Sequence, residues 1–204
     1  MKLISVSLIL IGIAVMFFPG FKDMRVEYQQ KKLLEKFAYN NAETSNNEEI
    51  VESYNDLTDI FGELSSSEIS TNNSSEVIAK LSIEKIDLLL PVLKGASKEN
   101  LDIAAGFLEG STPFGRVGNT AVAAHRSHTD GKLFNRLGEL IKGDTVSVTT
   151  NDKSFSYQIT DIKIVKPEDT SVLALSKNKK ILTLITCHPI KNPTHRLIIH
   201  AEEI

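Results

Sequence analysis

The sequence predicts a mainly β domain, a closed or nearly closed barrel of about eight strands with short connecting helices, preceded by an N-terminal membrane anchor. Three observations predict it. From Glu76 onward, short apolar or alternating segments recur between turn residues. Ahead of them, Ser65 to Ser75 is almost wholly Ser, Thr, Asn and Glu, too polar to offset its ordering entropy by burial. At the start, Leu3 to Phe18 is an uncharged run dominated by Ile, Leu, Val, Met and Phe. The 204 residues therefore divide into an anchor over 1–21, a helical and polar stem over 22–75, and a folded domain over 76–204.

Taken in order, the apolar run follows Lys2 and is closed by Pro19 and Gly20. A hydrocarbon core needs about 20 residues, which Phe21 and the flanking small residues supply. A cleaved leader would show a small-x-small site after the run, and none follows Phe18. Lys2 on one side and Lys22 and Arg25 on the other leave the orientation open. Val26, Leu33, Leu34 and Phe37 then recur at helical spacing, read as a spacer. Leu57, Ile60, Phe61 and Leu64 form a small apolar patch suited to one helical turn or two.

The strands expected next are Val77 to Ile83, Ile86 to Val92, Thr120 to Ala124 and Asp144 to Thr150. Phe155, Tyr157 and Ile159 alternate before the phase slips toward Ile162 and Ile164, which predicts a bulge. Ile181 to Ile185 and Leu197 to Ile199 are apolar without alternation, as strands covered on both faces are. Short helices fit Lys98 to Ile103 and Lys132 to Leu140, with a turn over Glu168 to Leu175.

The net charge of −3 is spread over interspersed acids and bases, so nucleic acid is not an expected partner. Cys187 is the only cysteine, which excludes an internal disulfide and a multi-cysteine metal cage. It ends the apolar run Thr183-Leu184-Ile185-Thr186-Cys187, with His188 and Pro189 stopping the strand. A thiol at a strand end is held rigidly yet can meet a substrate. His125 ends an earlier strand in the same way, beside the small Ala121 and Ala123, and a histidine can move protons at working pH. Arg196 opens the last strand nine residues after the cysteine, where its planar fork could bind a developing oxyanion or a peptide backbone. Each of the three taken alone has a plain alternative: a core cysteine, a packed histidine, an exposed strand arginine.

Together they resemble the sortase family, whose members carry Thr-Leu-x-Thr-Cys at a strand end, a histidine ending an earlier strand and an arginine starting the strand after the cysteine. These match Thr183 to Cys187, His125 and Arg196. The resemblance runs from about Ile83 to Ile199 and includes Leu90-Pro91-Val92, Glu109-Gly110-Ser111-Thr112-Pro113 and Gly143-Asp144. It implies a cysteine transpeptidase that cleaves a Leu-Pro-x-Thr-Gly (LPXTG-like) sorting signal between Thr and Gly through a thioester on Cys187. It further implies His125 as proton donor and acceptor, Arg196 as oxyanion and substrate ligand, and Thr186 and Ala124 as substrate-binding neighbours.

The implied partners are secreted proteins bearing the signal and an amine of peptidoglycan or of a pilin subunit. The implied location is the cell membrane of a Gram-positive bacterium, with the barrel outside. No cofactor or metal is implied, since the acids form no calcium-ligand set like that of some class A members. The single N-terminal anchor resembles class D, whereas Asn192-Pro193-Thr194-His195-Arg196-Leu197 resembles class C, the pilin polymerases. Class C usually carries an Asp-Pro-aromatic lid, and that motif is absent, so a site without a lid is expected. Three other readings stay open: a mixed His and Cys metal site using His125, His128, His188 or His195, a papain-type hydrolase, and a non-catalytic anchored binding module.

Overall fold

Strand-length apolar segments with short connections have one way to bury both faces and leave no free edge, which is to close on themselves. The protein, described by a computed structural model over residues 24–35, 37, 47–62, 76–129 and 131–204, does so. Its strands are β1 (Val77–Ile83), β2 (Leu88–Lys94), β3 (Ala105–Phe107), β4 (Gly118–Ala123), β5 (Thr145–Thr149), β6 (Ser154–Val165), β7 (Lys180–His188) and β8 (His195–Glu203). They form a closed barrel in the order β1-β2-β3-β4-β7-β8-β6-β5. The pairs β2–β3 and β4–β7 are parallel, and the other neighbours are antiparallel. The barrel interior is packed with Leu81, Leu90, Val92, Phe134, Val146, Tyr157, Leu184 and Ile199, among others.

The expected bulge is present, as a register shift between Ile159 and Asp161 of β6 against β8. The second strand starts two residues later than expected, because Glu84–Ile86 makes a 3-10 turn that Asp87 ends in the left-handed region at φ 50°. The expected helix over Lys132 to Leu140 is a 3-10 turn at Asn135–Glu139, and the turn near Glu168 is a 3-10 turn at Thr170–Leu173. β3 was not foreseen in the sequence, being three residues long with a central glycine. That glycine is required, since a Cβ on Gly106 would stand 2.7 Å from the Ala96 Cα and the Gly95 carbonyl.

Among the described residues, three helices accompany the barrel. Residues 24–35 are helical (α1), and Leu33 packs with Phe37 against Val77, Leu93 and Ala104. α1 is also tied to the barrel by an ion pair between Glu27 and Lys132. α2 (Asn47–Gly62) is 16 residues long where one or two turns were expected, and α3 (Lys98–Leu101) is a short turn of helix before β3. The apolar run over 3–18, the polar run over 65–75 and Leu64 lie outside the described residues. Among the described residues, no helix is long and apolar enough to cross a membrane.

Candidate active site

Alternation along each strand decides which side chains point out of the barrel. On β4 and just after it, Val122 and Ala124 join the interior, while Ala121 and Ala123 join a separate outer cluster. The same split puts Leu182 and Leu184 inside on β7, and Ile185 and Cys187 outside. On β8, Leu197 and Ile199 point inward and Ile198 outward. β4 and β7 are parallel with Ala123 opposite Ile185, so two residues further on His125 and Cys187 stand at the same level. β7 and β8 are antiparallel with Cys187 directly opposite Arg196. The three residues singled out by the sequence thus meet at one rim of the outer face.

Thr186 and Ala124, also expected at the site, lie between them. Both are fully buried, and the Thr186 hydroxyl donates to the Ala124 carbonyl at 2.8 Å. This bond ties the residue before Cys187 to the residue before His125. Further down the outer face, the Thr183 hydroxyl donates to Asn119 Oδ1 at 2.6 Å. Asn119 Nδ2 in turn donates to the carbonyls of Val172 and Ala174, which holds the Thr170–Leu173 turn against the barrel. Thr112, from the Glu109 to Pro113 motif, accepts from the Asn119 amide at 3.1 Å and so pins the start of β4.

The outer face is covered. α2 presents Tyr54, Leu57 and Phe61, spaced as one helical face, and all three are almost wholly buried against Ala121, Ala123, Val172, Ile185, Cys187 and Ile198. Phe61 sits against the His125 ring, centroids 5.1 Å apart, and under the Arg196 guanidinium at 4.8 Å. Arg196 Nη2 donates to the Leu57 carbonyl at 3.3 Å, and Nη1 points to Cys187 Sγ at 3.8 Å. The site expected without a lid is therefore covered by a segment that reads as stem. Its apolar face carries no lid motif and finds its partner only in the folded barrel.

The cover shapes the electrostatics. Cys187 is 6% exposed and Arg196 3%. Burial pushes the Cys187 thiol up to about 11, against the pull of Arg196 and then of Arg126. The covered thiol is therefore held in its protonated form at neutral pH. Asp102, just after α3, places Oδ1 3.6 Å from His125 Nε2. A cavity of about 400 Å³ opens between Phe61, Asp102, His125, Arg126, Cys187 and Pro193.

The remaining histidines have local partners: His128 Nε2 donates to the Ile190 carbonyl, His200 Nε2 to the Val172 carbonyl, and His195 meets Thr194. Among the described residues, no group of three or more His, Cys, Asp or Glu is placed to hold a metal ion. Sequence reasoning missed Tyr54, Phe61, Asp102 and Arg126. Only the Tyr54-Leu57-Phe61 spacing offered a signal.

The chain is similar in sequence and in fold to known proteins. The sortase domain family matches residues 81–204. Sortase A of Bacillus anthracis is 27% identical over 201 residues, covering 97% of this chain and 91% of its own. Sortase D of Bacillus subtilis strain 168 is 27% identical over 208 residues, covering 100% of this chain and 98% of its own. The pilus-related Sortase C of Group B Streptococcus matches in structure with a TM-score of 0.65 at 30% identity, over 86% of this chain and 97% of its own.

Proposed function

Because the chain belongs to the sortase family of cysteine transpeptidases, we propose that it cleaves an LPXTG-like sorting signal between Thr and Gly and joins the new acyl end to a cell-wall amine. The observation that carries the reading is the meeting of Cys187, His125 and Arg196 at one rim, fixed by the β4–β7 and β7–β8 registers.

In this reading the Cys187 thiolate attacks the carbonyl carbon of the signal threonine. Arg196 donates to the oxyanion, the carbon–nitrogen bond to glycine breaks, and the His125 imidazolium gives its proton to the departing amine. The thioester is then attacked by an acceptor amine, whose proton passes to His125. The carbon–sulfur bond breaks, and the thiolate is regenerated. Thr186 and Ala124 serve the substrate by holding the histidine and cysteine ends of their strands together. α2 is the cover that the signal peptide displaces, since Arg196 gives to the Leu57 carbonyl a hydrogen bond that a substrate carbonyl would take. The apolar run over 3–18 anchors the chain in the membrane, with the barrel outside a Gram-positive cell. The near whole-length matches to sortases A and D support a class D-like or related housekeeping-type enzyme acting on the wall.

The test is mass spectrometry of the full-length protein incubated with a panel of sorting-signal peptides and small amines. An acyl adduct on Cys187 that an amine resolves to an amide is expected. Cys187→Ala should give neither, and Arg196→Ala should slow turnover about 10²–10³-fold, the usual loss for one oxyanion donor. A folded protein with a free thiol and no adduct across the panel would return the barrel to the class of binding modules.

A further inference from the structure

Arg126 follows His125 in the chain and takes no part in the steps above, yet its guanidinium is held on several sides. Nη1 donates to the Cys187 carbonyl at 3.3 Å and to His188 Nδ1 at 2.9 Å, while Nε donates to the Asn135 carbonyl at 3.4 Å. The bond to His188 fixes Nδ1 as the acceptor and so puts the ring proton on Nε2. Burial and the Arg126 charge both hold the His188 ring below its ordinary value, in the neutral form that accepts this bond. On the remaining side lies Gly138 of the Asn135–Glu139 turn, where a Cβ would stand 2.6 Å from Nη2. The turn thus presents a position without a side chain just where the guanidinium fits.

The two arginines near the thiol differ in what holds them. Arg196 rests on Leu57 and Phe61, both on α2, and in the proposed reaction it turns to the substrate. The partners of Arg126 all belong to the barrel and its loops, so its charge and its grip stay in place when α2 leaves. Loss of that grip would free the end of β7, since His188 is its last residue.

We propose that Arg126 is a positioning residue of the transpeptidation: it pins the Cys187 carbonyl and the His188 ring, holding the thiol beside His125 and a fixed positive charge whether or not α2 is docked. The inference rests on Cys187 being the nucleophile. The charged and titratable groups around the thiol are Arg196 on β8, His125 and His128 after β4, and Asp102 after α3, with Tyr54 of α2 in the same apolar cluster, its phenol pushed up to about 12 by burial. None of these changes in the variants tested below.

The test follows the pH dependence of Cys187 alkylation by iodoacetamide in the full-length protein, beside amine transfer to a sorting peptide and thermal melting. Arg126→Gln is expected to move the alkylation midpoint to higher pH and slow alkylation at pH 8 about threefold to tenfold. Arg126→Lys should restore much of the midpoint, because the charge remains, while transfer stays low for want of the fork. Gly138→Ala keeps every charge and pushes only the far end of a flexible side chain. It should leave melting unchanged and still lower transfer several-fold.

If Arg126→Gln melts earlier but alkylates on the parent's pH profile, and Gly138→Ala transfers at the parent's rate, Arg126 is structural and the proposal fails. Should Arg126→Gln not fold, Arg126→Lys and Gly138→Ala decide by the same readouts. Alkylation needs no peptide, so its result stands apart from whether any peptide is accepted.

Discussion

The barrel and α2 share the surface around Cys187 but are held in different ways. Each strand of the barrel is hydrogen-bonded on both sides, and its interior is a continuous apolar cluster. Among the described residues, α2 meets the outer face through Tyr54, Leu57 and Phe61, with a hydrogen bond received from Arg196. Its contact also leaves polar groups unmatched: the Tyr54 hydroxyl and Arg196 Nε are buried with no hydrogen-bond partner among the described residues. Each such group costs about 1–3 kcal/mol to bury. In the proposed reading the barrel persists and α2 comes away, which gives a substrate access to the nearly unexposed thiol. The difference separates the part of the chain that makes the fold from the part that controls entry.

The largest test of that separation sets one truncation against another. Leu184 is wholly buried inside the barrel, and Leu184→Ala is expected to cost about 2–5 kcal/mol, lowering the melting temperature by about 10 °C. Phe61 is just as buried, yet Phe61→Ala should shift barrel melting by only a few degrees, because what it weakens is docking of the helix. Equal losses in the two variants, followed by calorimetry, would show α2 to be part of the fold and break the comparison.

The next effect is on the thiol. Burial disfavours the charged form, so uncovering Cys187 should bring its titration down from about 11 toward the ordinary thiol range, the direction opposite to burial. Phe61→Ala is accordingly expected to alkylate with iodoacetamide about tenfold faster at pH 8, with the midpoint of the pH profile moved downward. An unmoved midpoint would mean that the barrel, and not α2, raises the thiol.

The sequence revealed these two regions unequally, for physical reasons. β1, β5 and β6 alternate, and β7 and β8 are apolar on both faces because the interior covers one and α2 with the Thr170–Leu173 turn covers the other. That pattern is local, so the barrel could be read from it. β3 could not, since Ala105-Gly106-Phe107 is too short to show a period. Cys187, His125 and Arg196 were legible as strand-end residues, but their meeting depends on two registers that no single segment contains. Arg126 was invisible for a similar reason, as its partners Cys187 and His188 come from a distant stretch and Asn135 from across a loop. α2 was read as one or two turns because its apolar face is narrow and gains meaning only against the finished outer face.

The smallest expected effect is the sharpest, because it carries the opposite sign. Tyr54 lies at the centre of the α2 contact, and its hydroxyl has no hydrogen-bond partner among the described residues. When α2 is undocked the hydroxyl is hydrated, and docking strips that water without replacement. Tyr54→Phe removes the penalty while keeping the ring, so it should favour the docked helix by roughly 1 kcal/mol, about fivefold in population. Cys187 alkylation at pH 8 and turnover of a sorting peptide should then both slow about fivefold, whereas Phe61→Ala accelerates alkylation. Faster alkylation in Tyr54→Phe would instead mean that the hydroxyl holds the helix down, through Arg196 or through Asp169 and Glu168, whose charges reach it. A fall from that polar anchor would reverse the account of α2 as an imperfectly matched cover, and the two variants measured side by side decide between them.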